Sequence, residues 1–87
     1  MRLKKGEILY REGEYAEEVY FLIKGRVNLK ASNGVIFKTY VEGSYFGEVD
    51  IFEGKTRDCT VQAAPDCDCE VLVLSKKDLE TVSNEFP

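Results

Sequence analysis

Gly43-Ser-Tyr-Phe-Gly47-Glu48-Val-Asp-Ile-Phe-Glu-Gly-Lys-Thr-Arg57-Asp58-Cys59-Thr-Val61 is the stretch on which the reading of this chain turns. Two glycines frame a turn, and an acid, Glu48, opens the short helical stretch that follows. A helix start presents backbone N–H groups that no carbonyl of the helix can take up, and these attract an anion. Arg57 then stands alone at the head of a β-branched segment, where its planar fork can grip a phosphate at two points. A carboxylate beside such a site repels phosphate but accepts hydrogen bonds from a sugar hydroxyl. Together these groups describe a metal-free site for a ribose phosphate.

Outward from this loop, the chain reads as short strands separated by glycines. Glu7 to Tyr10 is followed by the turn Arg11-Glu12-Gly13-Glu14. Val19 to Ile23 is continuously apolar, which predicts a strand buried on both faces. Val27 to Lys30 alternates with period two. Asn33-Gly34 predicts a hairpin turn, because both positions tolerate positive φ, with Val35 to Val41 returning as the partner strand. Thr60 to Ala63 ends at Pro65, and Glu70 to Leu74 is the last strand. Many short strands with regular turns suggest a barrel or roll.

The tail changes period. Ser75 is an N-cap residue with an acid, Asp78, three positions on, and Leu79, Val82 and Phe86 follow at helical spacing. A C-terminal helix is predicted from about Lys76.

Composition narrows the function classes. The chain has 87 residues, enough for one small domain (1–87), and its 44% hydrophobic content with five Phe and five Tyr supports a packed core. The net charge of −4 leaves no basic stripe for nucleic acid, so an anionic ligand requires a locally concentrated cation such as Arg57. No histidine is present, which removes the usual nucleophile–base arrangements and argues against an enzyme. Three cysteines without histidine cannot complete the usual four-ligand zinc site, so no metal is expected; free thiols in a reducing, cytosolic setting are. No run approaches the roughly 20 apolar residues of a membrane helix. The chain reads as soluble, without direct membrane contact, although it could be cut from a membrane protein.

These residues resemble a known family. Gly6-Glu7-Ile8, Arg11-Glu12-Gly13-Glu14 and Tyr20-Phe21-Leu22-Ile23-Lys24-Gly25-Arg26-Val27 resemble the front half of the cyclic-nucleotide-binding domain. Phe46-Gly47-Glu48 followed by Arg57 and Thr60-Val61 resembles its phosphate-binding cassette. Leu74 to Leu79 and Glu85-Phe86-Pro87 are similar to the exit helix of cyclic-nucleotide-regulated cation and potassium channels. The resemblance runs from about Leu3 to Pro87, with its parts in the family's order.

The resemblance implies a mainly β, eight-stranded antiparallel roll, jelly-roll-like, with a short cassette helix and a C-terminal helix. It implies cAMP or cGMP as ligand and no further cofactor. Arg57 would pair with the cyclic phosphate, Glu48 would accept from the ribose 2′-hydroxyl, and backbone N–H groups around Gly47 and Glu48 would complete the anion site. Phe46, Val49, Asp58 and Cys59 would line it. The implied partner is an effector in the same polypeptide, a channel pore first and a kinase regulatory context second, with room for a homo-oligomer. The family's lid helix lies beyond this sequence, which would then be a cytoplasmic piece of a larger protein.

Asp58 departs from the family pattern, where a small or hydroxylated residue is usual. A carboxylate near a bound phosphate costs about 1 kcal/mol at ~4 Å in water and about 4 at an effective dielectric near 20. Lys55 is the nearby cation that could compensate. Two consequences stay open: a homology domain without ligand that serves assembly or gating contacts, or a preference for guanine, whose N–H donors Asp58 could accept. The plainer readings of Arg57 are a solvated charge at a strand edge, or an internal ion pair with Glu48 or Asp50.

Overall fold

Strands form where side chains alternate between core and surface. Val27–Lys30 (β4) buries Val27 and Leu29, and Thr60–Ala63 (β7) buries Val61 and Ala63, both with the bounds expected from their period-two pattern. The computed structural model describes residues 1–78 and residue 81. The remaining strands are Arg2–Leu3 (β1), Ile8–Tyr10 (β2), Glu18–Lys24 (β3), Ile36–Tyr40 (β5), Tyr45–Phe46 (β6) and Cys69–Ser75 (β8), with one helix, Glu48–Glu53 (α1), between β6 and β7. They make two four-stranded antiparallel sheets, ordered β1-β8-β3-β6 and β2-β7-β4-β5. This is the mainly β, eight-stranded roll that the sequence implies.

The core lies between the sheets, around Leu22, Val27, Val61 and Val71, none of which reaches solvent. An aromatic row crosses it: Tyr10 and Tyr20 have ring centroids 5.8 Å apart, Tyr20 and Phe46 5.6 Å, and Phe46 and Tyr40 5.1 Å. Offset contacts of this kind add to the burial of the rings themselves. They fix Phe46, and with it the entry to α1, against both sheets.

Two local expectations change. The apolar run Val19 to Ile23 is not buried on both faces: Tyr20 and Leu22 face the core, whereas Phe21 is 39% and Ile23 46% exposed. Val19, on the same face as these two, is buried, so the outer face is open only at Phe21 and Ile23 among the described residues, where alternation reasserts itself over composition. The β4–β5 hairpin forms, but only Gly34 takes positive φ (83°). The Gly34 N–H donates to Ala31 O and the Ala31 N–H to Val35 O, both at 2.9 Å, which makes a longer loop than a two-residue turn.

At the C-terminus, residues 76–78 and 81 are helical. The Asp78 N–H donates to Ser75 Oγ at 3.1 Å and the Ser75 N–H to Asp78 Oδ2 at 3.3 Å, the reciprocal cap expected there. Leu79, Val82 and Phe86, which carry the expected apolar face, lie outside the described residues.

Candidate functional site

The cassette is built from a left-handed glycine turn, a one-and-a-half-turn helix and a buried arginine. Gly47 caps α1 in the left-handed region, φ 91°, ψ −3°, a conformation that only glycine takes without strain. Its side-chain-free Cα also makes room. A Cβ there would come within 2.9 Å of Arg57 Nη1 and 3.4 Å of Glu18 O. At the other end Gly54 closes the helix, also left-handed, and Ile51 anchors it inward.

Arg57 is 3% exposed, the one charged residue fully buried among those described. Its backbone is fixed by the Arg11–Glu14 turn: the Gly13 N–H donates to Arg57 O at 2.8 Å, and the Arg57 N–H to Glu14 O at 2.7 Å. Its guanidinium donates from Nη1 to Gly47 O at 2.8 Å and to Asp50 Oδ2 at 3.4 Å, and from Nη2 to Glu18 O at 2.6 Å. The Tyr10 ring lies 4.3 Å from its central carbon, a cation–π contact strengthened by the dry surroundings. A buried cation needs this much compensation. The internal pair with Asp50, one of the plainer readings of the sequence, is thus present; the other, a solvated charge at a strand edge, is overturned by the burial, and no ion pair joins Arg57 to Glu48 among the described residues.

Phe46, Gly47, Glu48, Val49, Asp58 and Cys59 share the wall of one cavity of about 270 Å³, whereas Arg57, the seventh expected site residue, is buried and is not part of that wall. Tyr10, Leu29, Phe37, Lys38, Tyr40 and Asp50 complete the lining. One oxygen of Glu48, Oε2, is buried without a hydrogen-bond partner among the described residues. An unmet buried acceptor is costly, and at a cavity wall it is an acceptor held ready for a donor. Asp58 is exposed and lines the cavity. Lys55 does not serve it: the Lys55 ammonium pairs with Glu53 Oε2 at 2.7 Å. The cation on the cavity wall is Lys38, whose Nζ sits 4.9 Å from the Tyr40 ring.

Burial pushes the Cys59 thiol up to about 11, with the neighbouring Asp58 carboxylate adding to the shift, so this cysteine lines the cavity as a neutral, unreactive group. Sequence reasoning missed Tyr10 and Glu18 as partners of Arg57. Glu18 contributes a backbone carbonyl, for which a side chain gives no signal. Tyr10 reads as an ordinary strand residue until the fold stacks it.

The chain is thus a roll of two antiparallel sheets, broken between β6 and β7 by a glycine-capped helix whose start is hydrogen-bonded to a buried arginine. The cyclic nucleotide-binding domain family matches residues 1–86, and the chain belongs to that family. It is 30% identical over 89 residues to the cyclic nucleotide-gated channel rod photoreceptor subunit alpha of Gallus gallus, covering 94% of this chain and 14% of that protein. It is 32% identical over 82 residues to the potassium/sodium hyperpolarization-activated cyclic nucleotide-gated channel 3 of Homo sapiens, covering 94% of this chain and 10% of the relative.

Among solved structures, PKAR CBD2 with Sp-2Cl-cAMPS bound superposes with a TM-score of 0.85 at 30% identity, over 98% of this chain and 56% of that one. cAMP-bound PfPKA-R superposes with a TM-score of 0.86 at 29% identity, over 98% of this chain and 29% of that one. The chain thus spans a small part of the channels it matches. No helix among the described residues is long and apolar enough to cross a membrane.

Proposed function

We propose that residues 1–87 form a sensing module that binds cAMP or cGMP and passes the binding event to an effector in the same polypeptide. The observation that carries this reading is Glu48, a carboxylate of the cavity wall with one buried oxygen, Oε2, unpartnered among the described residues, next in sequence to the glycine that Arg57 holds. A cyclic nucleotide brings the two groups such a wall lacks: a ribose hydroxyl that can donate to Glu48, and a single negative charge that Arg57 and the N–H groups after Gly47 can balance without a metal. Phe46, Val49 and Cys59 supply apolar lining, and Asp58 contributes a second carboxylate.

Mechanism follows from the same contacts. Arg57 ties Gly47 at the head of α1 to Glu18 on β3 and to Asp50 within α1. A phosphate that draws on the guanidinium competes with these three acceptors. Binding therefore changes how α1 is held against β3, and a displacement of α1 is what an attached effector can read. The similarity to channels favours a cation or potassium channel as that effector, with this module on the cytoplasmic side and assembled as a homo-oligomer. A kinase regulatory subunit is the second context, in line with the likeness to PKAR CBD2 and PfPKA-R. A regulatory role, without catalysis by this domain, fits both.

A second reading is favoured by the satisfaction of Arg57 within the protein and by Asp58 on the cavity wall: a homology domain that works through contacts alone. Thermal denaturation with added cAMP or cGMP separates the two. Ligand at 100 times its dissociation constant stabilises the fold by about 2.7 kcal/mol. Absence of any shift at millimolar nucleotide sinks the sensing proposal, and a shift that disappears in Arg57→Ala supports it.

A further inference from the structure

We propose that Asp50 is an internal competitor for the anion at Arg57: its carboxylate holds the guanidinium until a ligand displaces it, and so sets the affinity of the cavity. This rests on the reading of the cavity as a cyclic-nucleotide site and adds a regulating residue to it. Asp50 lies in α1 and lines the same cavity as Glu48, Asp58 and Lys38. Its side chain is 14% exposed and that of Arg57 2%, and Arg57 is the one cation it pairs with among the described residues. Asp50, Gly47 and Tyr10 of the cavity wall contact the guanidinium, and Asp50 alone of these three carries a charge. An anion that reaches Arg57 from the cavity therefore meets a carboxylate already there.

Bond lengths pick out the contact that gives way. Arg57 donates to Glu18 O at 2.6 Å and to Gly47 O at 2.8 Å, and both carbonyls belong to backbone, one in β3 and one in the turn. To Asp50 Oδ2 it donates at 3.4 Å. That is long beside the about 2.7–2.9 Å usual between a cation and a carboxylate. A side-chain carboxylate can also rotate away, whereas the carbonyls leave only if the backbone moves. A phosphate brings the same charge with more acceptor oxygens, so one anion replaces another and the buried cation is never left unpaired. The displaced carboxylate has the cavity it already lines to turn into. The exchange unties α1 from Arg57 at Asp50 and leaves it tied at Gly47, so the free and the ligand-bound states hold this helix in two different ways.

Removing the charge of Asp50 has opposite effects on the fold and on the site. Asp50→Asn keeps an acceptor for Arg57 Nη1 but not the ion pair, so the free protein loses stability. The bound protein loses a competitor for Arg57 and a like charge beside the phosphate, so affinity rises. A residue with a structural role alone would lower both. The gain at Asp50 exceeds the about fivefold expected of a screened carboxylate such as Asp58, because Asp50 is mostly buried. For the same reason it persists at high salt, where the gain at an exposed position shrinks.

The test is calorimetric titration of the full chain with cAMP and with cGMP, paired with urea denaturation without nucleotide. Asp50→Asn should bind about tenfold or more tightly than the parent and unfold at a lower urea midpoint. Asp50→Ser, also uncharged, should show the same gain, and Asp50→Glu, which keeps the charge, should show none. Binding by the uncharged variants but not by the parent also supports the proposal, as a contact that nucleotide alone does not open. Equal or weaker binding by both uncharged variants, beside a parent that binds, overturns the proposal and leaves the sensing reading intact. An equal gain in Asp50→Glu overturns it as well. Absence of binding by every one of these proteins at millimolar nucleotide overturns the sensing reading, and the proposal with it.

Discussion

Arg57 Nη1 donates to the carbonyl oxygen of Gly47 at 2.8 Å, so the cation and the turn that frame the cassette in sequence are one hydrogen-bonded unit in the fold. The same guanidinium holds Glu18 O and Asp50, and it stacks on Tyr10. Arg57→Ala should therefore weaken folding as well as ligand binding. Truncation leaves two buried carbonyls and a mostly buried carboxylate unmet, which costs about 3 kcal/mol. Urea denaturation should show the loss as a lower midpoint, with Arg57→Lys intermediate because a point charge cannot reach both carbonyls. An unchanged midpoint in Arg57→Ala would mean that this network does not hold the fold.

Gly47 and Gly34 make a matched pair for separating backbone strain from crowding. Both have positive φ, 91° and 83°, but a Cβ at Gly47 would press on Arg57 Nη1 at 2.9 Å whereas one at Gly34 meets nothing within 4 Å. Gly34→Ala should cost about 1 kcal/mol, the left-handed penalty alone. Gly47→Ala should cost about 2 kcal/mol or more, because the arginine must also move. It should abolish nucleotide binding, which Gly34→Ala should leave intact. Equal costs at the two positions would show that Arg57 adapts freely.

Alkaline pH should destabilise the domain through its cavity lining. Burial, then Asp58, raises the Cys59 thiol from 9.0 to about 11. Burial likewise raises Tyr10, against the opposing pull of Arg57. A group whose folded value lies above its unfolded value keeps its proton longer in the folded chain. Its contribution is complete below the unfolded value and disappears as pH rises through the folded one. For Cys59 that window runs from about 9 to about 11. Denaturation midpoints measured across it should fall, and Cys59→Ala should flatten the first part of the fall. A parent and variant with parallel pH profiles would rule out Cys59 as a contributor.

How much of this could be read in the sequence depended on which atoms carry the information. β4 and β7 are legible to the residue, because one face of each alternates into the core. β1 and β6, at two residues each, are too short to show a period and were not anticipated. The run Val19 to Ile23 gives hydrophobicity but not the identity of what covers each face, so its open outer face appears only in three dimensions. The cassette glycine, acid and arginine are legible as a set because an anion site needs those residue types together. The acceptors that occupy Arg57 are not: Glu18 and Gly47 act through backbone oxygens, and folding alone brings them to the guanidinium. Lys38 is similarly silent in sequence, being one lysine on an edge strand until β5 folds over the cavity.

Asp58 and Lys38 line the same cavity with opposite charges, which gives the departure from the family pattern a direct test. A carboxylate about 4 Å from a bound phosphate costs about 1 kcal/mol where water screens the pair, equivalent to about a fivefold loss of affinity. Asp58 is exposed, so the screened value applies. Calorimetric titration should show Asp58→Ala binding cAMP about fivefold more tightly than the parent, and Lys38→Ala binding it more weakly, with both effects shrinking as salt rises. A double substitution should return near the parent, because the two charges act on the same anion. The alternative role of Asp58 gives a different pattern. If the carboxylate accepts from guanine N–H donors, Asp58→Ala weakens cGMP binding and leaves cAMP binding unchanged. That result would replace repulsion with base recognition at this position.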